Sequence, residues 1–323
     1  MGKVVLSGAI NWDYNLFVER FPEPGEEVPV LRFEQVPGGK GANASVSASF
    51  FLEPGSTSFI GALGDDDVGK KQIALLKESG VNPNGVKIVS GVPSGQAYIT
   101  IENGGQNTIS TVFGANMEIK PEDMVESPRR QLITDADCVG VVDPPIPALN
   151  MLVSLAGQGN AKIAWDVASH SQRPIEELSK ALESTDYLIM NEVEAKLTGG
   201  SQDPALVRER LTEYNPDISV IVKLGAQGCH YSSPEQGFFV PGIPLEAFGL
   251  KVVNTTGAGD AFMGGFVAAI AEGGDIVDAL VQGNAAGAAK VTMAHTRLTG
   301  DIDELGKLVD ELMAATRERV EII

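Results

Sequence analysis

Cysteine, histidine and basic residues are all scarce in this chain, and each shortage removes a class of chemistry. Of 323 residues only two are Cys and three are His. Cys138 lies in DCVGVV and Cys229 in GCHYSS, apolar strand-like settings outside any C-x-x-C pair. Both read as small buried hydrophobes of a reducing compartment. His170, His230 and His295 are far apart and lack metal-ligand spacing, which argues against zinc. Lys plus Arg number 24 against 43 Asp plus Glu, a net charge of −19. So acidic a body repels nucleic-acid backbone, and neither DNA nor RNA is an expected partner. Anionic small molecules can still be held by local backbone dipoles. Long apolar runs are missing too, and none approaches the roughly 18–20 residues of a membrane span. The opening MGKVVLSGAINWDYN has one Lys and a short apolar stretch broken by NWD, without a small-residue cleavage pattern. It reads as a first β-strand and not a signal peptide, so a soluble, cytoplasmic chain is expected.

What the chain does have is a regular alternation of strand-like and helix-like runs. Strands are expected at 3–10, 56–64, 137–143, 161–167, 185–191 and 217–225, with helices at 41–52, 67–80, 147–157, 174–183, 192–198 and 203–213. That rhythm predicts βαβ units and an α/β fold, a mostly parallel sheet covered by helices on both faces. Two stretches break it: 26–36, EEVPVLRFEQV, and 94–113, SGQAYITIENGGQNTISTVF. Both lack helical periodicity, and ENGGQN between two alternating runs is a hairpin signal. They read as antiparallel strands outside the main sheet. With no internal repeat or long linker, the expectation is one domain over 1–323 carrying a small β subdomain from about 11–37 and 94–113.

Three glycine-rich stretches invite a phosphate reading. GDDDVGKK, 64–71, matches G-x-x-x-x-G-K, yet Lys71 stands where a P-loop needs Ser or Thr for Mg²⁺. Three aspartates would also face the phosphates, so this is an acidic helix start. In VPGGKGANASV, 36–46, the glycines allow close backbone approach, with Lys40 and Asn43 beside them. An ordinary glycine-rich turn explains that stretch equally well. NTTGAGDAFMGGF, 254–266, is sharper: Gly257, Ala258 and Gly259 lead directly into an apolar helix. A helix start offers unpaired N–H groups and about half a positive charge to an anion. Asp260 in its first turn could accept a proton from a hydroxyl beside that anion, the layout of phosphoryl transfer. An Asp is also favoured at any ordinary helix start.

Taken in order, GAINWDY, FPEPGE, GGKGAN, FIGALGDDDVG, GAN (114–116), NEVEAKLTG (191–199), VKLGAQG (222–228), NTTGAGDAFMGGF and GNAAGAA (283–289) resemble the ribokinase (PfkB) family of sugar and nucleoside kinases. The likeness spans nearly the whole chain. It implies a three-layer ribokinase-like α/β core with a β-sheet lid over the sugar, and ATP with Mg²⁺ as cofactors. By the same resemblance Asp260 is the catalytic base, and the amides of Gly257, Ala258 and Gly259 form the anion hole. Asn11, Asp13, Gly39, Lys40 and Asn43 would bind the sugar; so would Asp143, where the family usually has the longer Glu. Asn191 and Glu194 are the N-x-x-E motif, Glu194 organising Mg²⁺ through water. Lys223, Gly225, Gly228 and Asn284 fall on the nucleotide side, with Lys223, often Thr in the family, reaching either polyphosphate or a nearby acid.

Two departures bear on a monovalent cation. Members that use K⁺ generally begin the anion-hole motif with Asp-Thr, where this chain has Asn254-Thr255, and the segment completing the cation loop is here AHTRLTG, 294–300. Potassium use is left open. GGKGAN is closer to ribokinases than to fructokinases or nucleoside kinases, which points to ribose phosphorylated at O5. Trp12, Phe33, Tyr98 and Phe113 in the lid segments keep a nucleoside kinase, phosphorylating the 5′-hydroxyl, as the alternative. A sugar phosphate is less favoured, since those segments hold few cations beyond Lys40 and Arg32. A non-catalytic sugar-binding regulator would be expected to lack the base or the anion hole, and both are present. By analogy the lid would pair two copies into a homodimer.

Overall fold

The structure, a computed structural model, describes residues 2–323. Its strands are β1 (Val4–Gly8), β2 (Asn11–Val18), β3 (Val30–Gly38), β4 (Thr57–Ile60), β5 (Ala62–Gly64), β6 (Lys87–Val89), β7 (Gly95–Ile101), β8 (Asn107–Val112), β9 (Cys138–Val142), β10 (Lys162–Asp166), β11 (Tyr187–Asn191), β12 (Ser219–Lys223), β13 (Gly228–Ser232), β14 (Gly237–Pro241) and β15 (Glu321–Ile322). The helices are α1 (Lys40–Phe51), α2 (Asp67–Glu78), α3 (Pro121–Val125), α4 (Arg129–Thr134), α5 (Ile146–Ala156), α6 (Ile175–Leu182), α7 (Glu192–Gly199), α8 (Pro204–Leu211), α9 (Ala258–Ala271), α10 (Ile276–Val291) and α11 (Ile302–Arg317).

The α/β expectation holds. A nine-stranded sheet runs β15-β14-β13-β12-β11-β10-β9-β1-β4, parallel from β12 to β4 and antiparallel from β12 to β15. Every residue of β1 and β9 is buried, as both-face coverage requires of a parallel sheet. Period-two alternation divides these strands between two cores. Val5, Val139, Val141, Ile163, Trp165, Val220 and Val222 face one helical layer with α5, α6 and α8. Leu6, Cys138, Val142, Ala164 and Ile221 face the other, with α1, α9 and α10. Both thiols are buried and pushed up by that burial, consistent with inert packing.

Two sequence expectations change in detail. The run 56–64 is not one strand: β4 belongs to the main sheet, whereas β5 pairs with β6 in a separate ribbon. The small sheet, ordered β3-β2-β7-β8, is not wholly antiparallel, because β2 and β7 run parallel. A parallel pair needs a long crossover, and the chain between them supplies α1, β4 and α2. The acidic turn at 64–67 is a helix start, as read: Asp66 caps α2 by accepting from Gly69 N, and it also takes Ser94 N and Oγ. No described helix is long and apolar enough to cross a membrane.

β1 is where the strand order reverses, with β4 on one side and β9 on the other. In open α/β sheets the crevice at such a point, beyond the carboxyl ends of the strands, is the usual ligand site. Here the small sheet leaves the core there, as β2 starts three residues after Gly8. Helices α1 and α9 pack beneath it through small residues. A Cβ on Gly264 would fall 2.5 Å from the Ala44 carbonyl oxygen and 2.5 Å from Ser47 Cβ. Gly264→Ala is therefore expected to force α1 and α9 apart and to destabilise the chain by about 1–3 kcal/mol. A thermal melt checks it; an unchanged midpoint would show that the helices have slack.

Candidate active site

The two helix starts beneath the small sheet come together. Gly39, the residue before α1, and Gly257, the residue before α9, both have positive φ, 90° and 86°. Gly257 is confined by more than its backbone angle, since a Cβ there would lie 2.0 Å from the Thr296 carbonyl oxygen. No side chain caps α9. Among the described residues, the Gly257 and Gly259 amides have no acceptor, while Ala258 N donates back to Thr255 O at 3.2 Å. Two of the three amides expected to face an anion are thus free and the third is held in a turn.

Asp260 lies in the first turn of this helix. Asn43 Nδ2, from α1, donates to Asp260 Oδ2 at 2.9 Å. Burial raises the Asp260 carboxyl to about 6, against the pull of Asn43 and Lys40. Asp13, on β2, is also buried and raised to about 6; burial is the main cause, Arg297 opposes it and Asp260 adds to it. Asn11 begins the same strand, and its Oδ1 accepts from Asn116 Nδ2 at 2.8 Å. Asp13, Asn11, Gly39, Asn43 and Asp260 therefore gather at the roots of the small sheet and the two helix starts.

A second cluster borders the first along the ends of β9 to β12. Lys40 Nζ lies 3.4 Å from Asp143 Oδ2. Asp143 follows β9 with φ 58°, and its Oδ1 accepts from Ser169 N at 2.9 Å and Ser169 Oγ at 2.8 Å. Lys223 Nζ pairs with Asp166 Oδ2 at 2.5 Å, and the same ammonium lies 3.1 Å from where a Cβ on Gly259 would be. Of the two partners expected for Lys223, it has the acid and stands beside the free amides as well. Asn191 and Glu194 form a reciprocal cap on α7: Glu194 N donates to Asn191 Oδ1 at 2.9 Å, and Asn191 N to Glu194 Oε2 at 2.8 Å. Burial and the nearby Asp166 raise Glu194, leaving it poised beside a second carboxylate.

Gly225, Gly228 and Asn284 lie around the ends of β12, β13 and β14. A Cβ on Gly228 would meet the Val240 carbonyl oxygen at 2.0 Å, so the fold itself demands that glycine, whereas Gly225 faces open space. Asn284 Nδ2 donates to the Pro241 carbonyl at 3.0 Å.

Sequence reasoning missed Asp166, Asn116, Lys290 and Arg297. Asp166 carried a signal, an acid closing a buried strand as Asp143 nearly does. Asn116 stands in the GAN stretch, and its side chain also accepts from Ile10 N at 2.9 Å. Lys290 is fully buried, lowered by burial to about 8, and donates to the Asn254 carbonyl at 2.8 Å. Nothing in its helical sequence context marks it out.

Two raised acids make the site a cost to stability at neutral pH. A carboxyl whose folded pKa exceeds its unfolded value favours the folded chain below that unfolded value, and this support is lost as pH rises to the folded value. For Asp13 the window runs from 3.8 to about 6. Asp13→Asn is expected to melt higher than the unaltered chain near neutral pH, by the equivalent of about 1–3 kcal/mol. The advantage should vanish near the lower end of the window. Calorimetry at both pH values checks this, and an equal gain at each would contradict it.

Comparison with known proteins identifies relatives over most of the chain. The model of the family described as pfkB family carbohydrate kinase matches residues 1–301. The ribokinase of Staphylococcus aureus is 31% identical over 294 residues, covering 88% of this chain and 91% of that protein. The ATP-dependent ribose-1-phosphate kinase of Halopiger xanaduensis is 28% identical over 315 residues, covering 96% and 99%. A bifunctional ribokinase/ribose-5-phosphate isomerase A of Fructilactobacillus sanfranciscensis is 30% identical over 269 residues, 82% of this chain but 48% of that longer protein. The solved structure of Arabidopsis thaliana ribokinase complexed with ribose and ATP superposes with a TM-score of 0.82, at 27% identity over 97% of this chain and 99% of that one. From motif order, site geometry and a family match over most of its length, the chain belongs to the pfkB family of carbohydrate kinases.

Proposed function

We propose that this chain is an ATP-dependent ribose kinase that moves the γ-phosphate to the O5 hydroxyl. Family membership makes it a phosphotransferase with an alcohol acceptor, and the relatives named as ribokinases support ribose. The observation that carries the reading is Asp260 set directly behind the free amides of Gly257 and Gly259. A carboxylate there takes the proton from a primary hydroxyl as it attacks, while the amides and Lys223 balance charge on the phosphoryl group in transit. Asp13, Asn11 and Asn43 offer paired acceptors and donors to vicinal hydroxyls, which fixes the sugar's orientation. Raised to about 6, Asp260 is largely ionised at neutral pH yet basic enough to take the proton.

The residues fit magnesium only in an outer role. Among the described residues no group of three or more His, Cys, Asp or Glu side chains could hold a metal ion. Glu194 and Asp166 can instead accept hydrogen bonds from waters on a Mg²⁺ carried by the nucleotide, the usual habit of that ion. The metal would supply charge neutralisation on the phosphates. A monovalent cation fits poorly. Asn254 Nδ2 donates to the Ala294 carbonyl at 2.8 Å, and the Lys290 ammonium takes the Asn254 carbonyl, so protein N–H groups already use those oxygens.

A second reading, ribose already phosphorylated at C1, is favoured by the Halopiger xanaduensis relative, which matches this chain over 99% of its own length. An ATP-consumption assay with ribose, ribose 1-phosphate, ribose 5-phosphate, fructose, adenosine and cytidine separates the cases. Ribose is expected to turn over, and ribose 5-phosphate, with O5 blocked, is not. Higher kcat/KM with ribose 1-phosphate would favour the second reading, preference for a nucleoside would make it a nucleoside kinase, and no turnover at all would overturn the kinase reading. Asp260→Asn should lower kcat by about 10²–10⁴ while leaving sugar affinity within a few-fold. Unchanged turnover would remove Asp260 as the base.

A further inference from the structure

Arg297 follows α10, is 3% exposed, and points its guanidinium into the junction of α1, α2 and the small sheet. Arg297 Nε donates to Asn43 Oδ1 at 3.1 Å, and Nη2 donates to Gln72 Oε1 at 3.0 Å and to the Gly38 carbonyl at 3.3 Å. Gln72, fully buried on α2, passes its Nε2 to the Asn11 carbonyl. Asn43 passes its Nδ2 to Asp260. Next to Arg297, Thr296 Oγ1 donates to the Pro37 carbonyl at 2.9 Å. One side chain thus joins the roots of β2 and β3 to the carboxylate at the start of α9.

We propose that Arg297 is a positioning residue that fixes the amide orientations of Asn43 and Gln72, presenting a donor to Asp260 and tying both roots of the small sheet to it. A guanidinium has five N–H donors and no acceptor. Each amide touching it must therefore turn its oxygen inward and its NH₂ outward. The outward NH₂ of Asn43 meets Asp260, which is then held as an acceptor, the ionised form that a general base requires. The outward NH₂ of Gln72 meets the backbone where β2 leaves the core.

Several charged groups share this pocket with Asp260. Asp13 on β2 and Asp166 on β10 oppose its ionisation, while Lys40 on α1, Lys223 on β12, Lys290 on α10 and Arg297 favour it. Loss of the guanidinium removes one of those cations and frees Asn43 to turn Oδ1 toward Asp260. Both changes favour the protonated acid, so fewer molecules hold the base at neutral pH and raising the pH restores them.

The inference deepens the kinase reading, and its kinetic arm rests on that reading; its titration arm does not. In Arg297→Gln, the Asp260 carboxyl followed by ¹³C NMR should titrate about one unit higher or more. On the sugar that the wild type turns over, kcat/KM should fall about twofold at pH 7 and about tenfold near pH 5, and recover as pH rises. Arg297→Lys keeps the charge, and its Asp260 midpoint should lie between those of the wild type and Arg297→Gln. A folded Arg297→Gln protein with the wild-type midpoint and pH profile would overturn the proposal, even if it melted lower. Should that variant fail to fold, the unaltered chain decides. Its Asn43 side-chain NH₂ resonances, identified by their absence in Asn43→Ser, should shift as Asp260 titrates, and indifference would overturn the proposal. Absence of turnover on every sugar and nucleoside would sink the kinase reading while leaving the titrations to judge Arg297.

Discussion

The hydrogen bond from Asn43 to Asp260 joins two helices whose residues lie 217 positions apart, and the site is organised around it. It can form only because α1 and α9 meet through alanine, serine and glycine, with no large side chain between them. Ser47 Oγ donates to the Ala261 carbonyl at 3.0 Å, pinning the same contact one turn further on. Close packing of backbones leaves little room for relaxation, so the Asp260 carboxylate inherits the rigidity of two buried helices. That rigidity is what a group aimed at one hydroxyl needs.

Charge is arranged around Asp260 in two tiers. Asp13 and Asp260 sit deep, where burial raises both, and Arg297 offsets part of that cost. Lys40 with Asp143 and Lys223 with Asp166 sit nearer the strand ends as ion pairs. An ammonium paired with a carboxylate remains free to share its charge with an incoming phosphate. A chain of net charge −19 thereby keeps a locally mixed site without a general basic surface. Steering of an anionic substrate by the whole molecule is not available to it, so local donors must carry recognition.

The small sheet adds cover and exposes apolar surface. Tyr14 stacks between Phe33 and Tyr98, with ring centroids 6.1 and 5.0 Å apart. Leu31, Phe33, Ile109 and Phe113 are more than half exposed. Of the aromatics that kept a nucleoside in consideration at the sequence level, Phe33 and Tyr98 pack against Tyr14 within the sheet, whereas Phe113 is exposed.

The alternation of elements through β12, the parallel core and the acids and glycines of the candidate site were legible in the sequence, because they depend on local regularities. Period-two apolar runs make buried strands, glycines before an apolar run make an uncapped helix start, and N-x-x-E makes a reciprocal cap. Register and long-range pairing were not legible, and they decided the rest. The parallel pairing of β2 with β7 bridges 84 positions between Asn11 and Gly95, and no local pattern distinguishes it from an antiparallel pair. Arg297 looked like part of a loop, since an arginine is ordinarily solvated and only burial beside two carboxylates gives it an acceptor-fixing role. Asp166 and Lys223 each close a strand, and only the adjacency of β10, β11 and β12 sets them side by side. By itself the sequence determined which segments form strands and helices and which backbone stays bare, since those follow from each residue's own shape and polarity. Tertiary structure alone decided which charges share a cavity, because electrostatic coupling depends on distance and burial that a linear chain does not contain.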